Sequence, residues 1–94
     1  MTAQPLYRAE PPDALLVQPL DDLTLLYHRP SGQTHMVMSP VPEILSALSE
    51  GAADAATVHQ RLMRDFDAGP AEEVLPVIAA HLDEMERLGV VRQL

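Results

Sequence analysis

The chain has 94 residues, 47% of them hydrophobic, and a formal net charge of −8, which suits a single domain with a modest aliphatic core. It has no cysteine, which excludes disulfides, thiolate metal sites and cysteine nucleophiles. All six positive charges are arginines, too few for the basic patch that nucleic-acid binding requires.

The N-terminal MTAQPLYRAEPPDA has no basic start followed by an apolar block, so it does not read as a secretory signal. No apolar run approaches the roughly 20 residues of a membrane span. A cytoplasmic protein without membrane contact is expected.

Residues 1–13 carry three prolines and read as an extended or mobile arm, with Tyr7 as its one anchor. The rest, 14–94, reads as one domain. ALLVQPL (14–20) predicts an edge strand with a proline near its end. Asp21–Asp22 is a turn, and LTLLYHR (23–29) predicts a second strand. PSGQ (30–33) is a turn, and THMVM (34–38) predicts a third strand.

A loop over 30–33 pairs Arg29 with Thr34 and His28 with His35. It also pairs Tyr27 with Met36, Leu26 with Val37 and Leu25 with Met38. Leu25, Tyr27, Met36 and Met38 then share one apolar face, which is the expected core face. Leu26, His28, His35 and Val37 share the other, which is mixed.

Ser39 is the expected N-cap of a helix over 40–49, with Pro40 at its first position. Val41, Ile44, Leu45 and Leu48 form its inward stripe, and Gly51 ends it. Asp54 caps a second helix over 55–66, with Ala55, Val58, Leu62 and Phe66 inward. A third helix runs over about 70–88 with Val74, Ile78, Leu82 and Met85 inward, and Gly89 ends it. Pro76 inside it predicts a kink or loosened turn. VVRQL closes the chain as a short extended segment. The fold class is α+β, three antiparallel strands followed by three helices.

The chemistry-bearing residues do not converge. His35 points away from Met36 and Met38 in a strand, so THMVM is no copper site. His28 and His35 face each other but lack a third zinc ligand. His59 and His81 are boundary residues. Adjacent acids such as Glu72–Glu73 and Asp83–Glu84 diverge by about 100° on a helix and form no acid/base pair. No nucleophile has a base, and no glycine-rich loop cradles phosphate. The sequence therefore predicts neither an enzyme nor a cofactor or metal site. The third helix carries five acids and one arginine, which opposes a DNA-groove role.

The segments LDDLTLLYHRPSGQTHMVMSPVPEILSALSEG, RDFDAGPAEEV and LDEMERLGVV resemble PqqD-family peptide chaperones, within residues 6–92. The nearest resemblance is to the variant associated with HprK-related kinase A systems. It implies a small winged helix-turn-helix that binds a precursor or leader peptide as an added strand beside the third strand and against the third helix. It further implies presentation of that peptide to a modifying enzyme, which is a radical SAM protein in PqqD itself; for this chain a radical SAM and a kinase-like enzyme both stay open.

The order of the strands agrees, because it leaves THMVM as a free edge without lysine or proline to blunt it. The expected peptide contacts are Thr34, His35, Met36, Val37 and Met38, with Val74, Val77, Ile78, His81 and Met85 on the third helix. Val77 and His81 form the favoured groove flank, and Leu75 and Ala79 the competing one. Coverage of the edge by the arm or by a dimer mate is the structural alternative. A module that binds a partner enzyme without any leader peptide is the functional one, and a winged-helix DNA regulator ranks below both.

Overall fold

The computed structural model describes residues 4–65 and 68–94. Five strands and three helices follow in the order β1 (Tyr7–Ala9), β2 (Leu15–Leu20), β3 (Leu23–His28), β4 (Gln33–Val37), α1 (Val41–Leu48), α2 (Ala55–Asp65), α3 (Ala71–Leu88) and β5 (Val91–Gln93). β2, β3 and β4 form an antiparallel sheet in that order, and β1 pairs with β5 in a separate ribbon. The α+β class, with three sheet strands followed by three helices, is as the pattern predicts.

Within residues 4–13, Leu6 and Tyr7 tie the chain to the body, so this part is not a free arm. Tyr7 exchanges both backbone hydrogen bonds with Ala53, each at 2.9 Å, and Leu94 N–H reaches the Leu6 carbonyl at 2.8 Å. The Tyr7 side chain is buried in the core. Burial, and then the carboxylates of Glu86 and Asp83 on α3, raise the pKa of its phenol.

The helices follow their sequence signals closely. Asp54 Oδ1 accepts the Thr57 N–H at 2.8 Å and caps α2. Val58 and Leu62 point inward from that helix, while Phe66 lies outside the described residues. α3 buries Ile78, Leu82 and Met85, half-buries Val74, and continues through Pro76. It ends at Gly89, whose φ of +83° suits a left-handed C-terminal cap.

One cap differs from expectation. α1 begins after Pro40, which occupies the cap position, and Ser39 does not bond the helix backbone. The Ser39 hydroxyl bonds the Glu43 carboxylate instead. Pro42 still falls within the first turn, where no N–H is needed.

The β3–β4 hairpin also corrects the expected pairing. His28 faces Gln33, Tyr27 faces Thr34, Leu26 faces His35, Leu25 faces Met36, and Thr24 faces Val37. The loop is therefore 29–32, one residue earlier than expected. Gly32 sets it there, because φ of +70° places the glycine inside the turn, where its N–H bonds the His28 carbonyl at 2.8 Å. The Ser31 hydroxyl braces the loop from within, 2.7 Å from His28 Nδ1. A shift of two in pairing changes partners but preserves which residues share a face.

The larger correction is which face is the core. Leu15, Leu26, Val37 and Thr24 are buried, whereas Tyr27, Met36 and Met38 are exposed and Leu25 is half-buried. The helices thus cover the face that carries Leu26 and Val37. The outer face is the more apolar of the two, so alternation pointed to the wrong one; the buried face is mixed, with Thr24, His28, Gln33 and His35 among its positions. The core joins this inner sheet face to Ile44 and Leu48 of α1, Val58 of α2, the α3 stripe, and Val90–Val91. Each fully buried aliphatic side chain there contributes about 1.5–3 kcal/mol of transfer free energy.

Candidate peptide-binding edge

Hydrogen-bond alternation identifies the free groups on β4. Arg29 N–H donates to the Ala14 carbonyl at 2.8 Å, one position beyond the Leu15–His28 pair. In an antiparallel ladder this turns the backbone groups of Tyr27 and Leu25 toward β2, and those of His28, Leu26 and Thr24 toward β4. Gln33, His35 and Val37 are then the β4 residues bonded into the sheet. Thr34 and Met36 turn their N–H and C=O groups to the outer edge. Met38 keeps an outward N–H, while its carbonyl accepts the Val41 N–H at 3.0 Å.

Among the described residues no strand pairs with that edge, since β1 pairs with β5. The two edges of the sheet differ. β2 carries Pro19, which has no N–H and blunts it. β4 has no proline, lysine or other charged residue apart from the titratable His35.

The candidate side chains divide by burial. On β4, Thr34, Met36 and Met38 are exposed, His35 is half-buried, and Val37 belongs to the core. On α3, Val77 is 49% exposed, Val74 and His81 are half-buried, and Ile78 and Met85 are fully in the core. Ile78 and Met85 therefore support the helix from within, and its apolar surface comes from Val77 with the half-buried Val74. Of the competing flank, Leu75 is half-buried and Ala79 exposed.

His35 stands out on the inner face. Its Nε2 is buried and has no hydrogen-bond partner among the described residues. The other histidines are accounted for differently. His28 bonds Ser31, and His59 Nε2 lies 2.8 Å from the Gly69 carbonyl, tying α2 to the start of α3. His28 and His35 are not cross-strand partners. No group of three or more His, Asp or Glu side chains is placed to hold a metal ion among the described residues.

A separate groove of about 900 Å³ lies on the opposite side, between β2, α1 and the β1–β5 ribbon. Leu15, Val17, Leu45, Leu48 and Leu94 provide its apolar lining, with Arg8 and Arg92 beside them. Arg92 is held by Glu10 at 2.7 Å. No sequence signal marked this groove, because its walls come from both ends of the chain.

No described helix is long and apolar enough to cross a membrane. Set against known proteins, the chain matches no family model, no curated protein and no solved structure.

Proposed function

We propose that the protein is a non-catalytic peptide-binding module. It takes up an extended precursor or leader peptide as a fourth strand along β4 and holds it for a modifying enzyme in the cytoplasm. The observation that supports this reading best is the unblunted β4 edge, with Thr34 and Met36 offering paired donors and acceptors to an incoming strand. An exposed edge of this kind is a liability unless something uses it.

A strand added there alternates its side chains as β4 does. Those on one side join Met36 and Met38. Those on the other lie beside the half-buried His35. Backbone pairing supplies affinity, and these two side-chain environments supply selectivity.

Proline substitutions separate the edge from the ladder. Thr34→Pro removes an N–H that faces outward, so the fold persists while selected peptides lose binding. His35→Pro removes an N–H bonded to β3 and destabilises the sheet by about 1–3 kcal/mol. Peptides drawn from a displayed random library serve as the probe. Undiminished binding to a folded Thr34→Pro variant would refute strand addition at β4. A specific alternative is ligand capture in the β2–α1 groove, favoured by its volume. In that case Val17→Asp, and not Thr34→Pro, abolishes binding.

A further inference from the structure

The outer sheet face extends well beyond the Met36 and Met38 side chains that the peptide reading uses. Of the nine outward positions across β2, β3 and β4 through Met38, seven are apolar and none is charged. The helices all pack on the other face. Leu16, Leu20, Tyr27, Met36 and Met38 are between 39% and 64% exposed. These five alone present on the order of 500 Å², more than half of the roughly 800 Å² per partner of a standard interface. Strands apolar on both faces are the pattern of a sheet covered on both sides.

Charges at the two ends of this face indicate what covers it. Asp21 and Asp22 form the β2–β3 turn at one end. Arg29 extends the outward row of Leu25 and Tyr27 at the other end, one position past the last residue of β3. None of the three has an ionic partner among the described residues. β3 is six residues long, so the two ends are about 20 Å apart.

We propose that a second copy of the chain covers the face. The two sheets stack face to face about a two-fold axis that lies in the interface and across the strands. That axis reverses the strand direction between copies. Arg29 of each protomer then lies over the Asp21–Asp22 turn of its partner, and the uncharged apolar rows meet in the middle. A two-fold axis along the strands would instead set acidic turn against acidic turn, on a chain already at −8. The contact leaves the β4 edges open, so it differs from a strand-exchanged dimer and does not depend on peptide binding.

Sedimentation equilibrium tests this on the full chain. The expected mass is twice 10.3 kDa, falling toward the monomer on dilution. Leu16→Glu combined with Met36→Glu gives a monomer with unchanged far-ultraviolet circular dichroism, because neither side chain is in the core. Arg29→Asp raises the dimer dissociation constant by about tenfold, and adding Asp22→Arg to it restores most of that loss. A wild-type chain that stays monomeric at several hundred micromolar, or a dimer that survives the double glutamate change, overturns the proposal. Failure of Asp22→Arg to rescue Arg29→Asp overturns the antiparallel arrangement.

Discussion

Leu26→Ala measures which sheet face is the core. Leu26 is fully buried, at 0% exposure, with Val17 and His35 as its cross-strand neighbours. Truncating it removes three heavy atoms from a packed site and leaves a cavity. The expected cost is about 3 kcal/mol, inside the range of roughly 2–5 for buried leucines. A domain of this size holds on the order of 5–10 kcal/mol in total, so the urea midpoint should fall by about 2 M. Leu16→Ala is the matched control, the same chemical change at a residue 48% exposed on the outer face. It should cost less than about 1 kcal/mol. Both are read by circular dichroism during urea titration, at low protein concentration so that self-association does not contribute. If Leu16→Ala costs as much as Leu26→Ala, the helices cover the other face and the assignment of the core is wrong.

Asp54→Ala should cost about 1 kcal/mol at neutral pH through loss of the α2 cap. The Thr57 N–H bond holds the Asp54 pKa below its ordinary value of 3.8, so the contribution is present above that value and is lost as pH falls through the lower folded one. The gap between wild type and variant should therefore be constant from pH 7 to about 5 and close on further acidification; a gap that widens in acid contradicts this. Gly89→Ala should destabilise by about 1–2 kcal/mol from its positive φ alone. A Cβ there meets His28 only at an ordinary 3.8 Å, so a neutral result would show that the α3 cap relaxes. Val77→Asp should leave the melting temperature nearly unchanged, since the residue is exposed, yet weaken peptide binding by more than about 1 kcal/mol if α3 forms the groove wall. Equal binding by this variant would leave β4 without α3 as a wall.

The helices were legible because their signals are local. Asp54 marks a start, Gly89 marks a stop, and the Val74–Ile78–Leu82–Met85 spacing marks a face. The edge position of β4 was also legible, since three successive strands joined by short turns leave the last one outside. The core face of the sheet was not. Leu26 and Val37 on one side and Leu25, Tyr27 and Met36 on the other satisfy the same alternation, and only the tertiary position of the helices separates them. β1 escaped notice for another reason. Tyr7–Ala9 is short and lies among prolines, and its partner Val91–Gln93 is at the far end of the chain. Within the candidate site, the outward backbone groups of Thr34 and Met36 needed the ladder parity that Arg29 and Ala14 supply. The unpartnered Nε2 of His35 needed side-chain packing that no sequence pattern encodes.

The most direct test of strand addition is an amide titration by heteronuclear NMR, using a peptide selected from a displayed library. Strand addition predicts that the Thr34 and Met36 amides shift most and gain protection from hydrogen exchange, while His35 and Val37, already bonded to β3, keep theirs. It predicts smaller shifts at Val77 and His81. Saturable binding that moves Val17, Leu45 and Leu48 and leaves residues 34–38 unmoved would contradict the account.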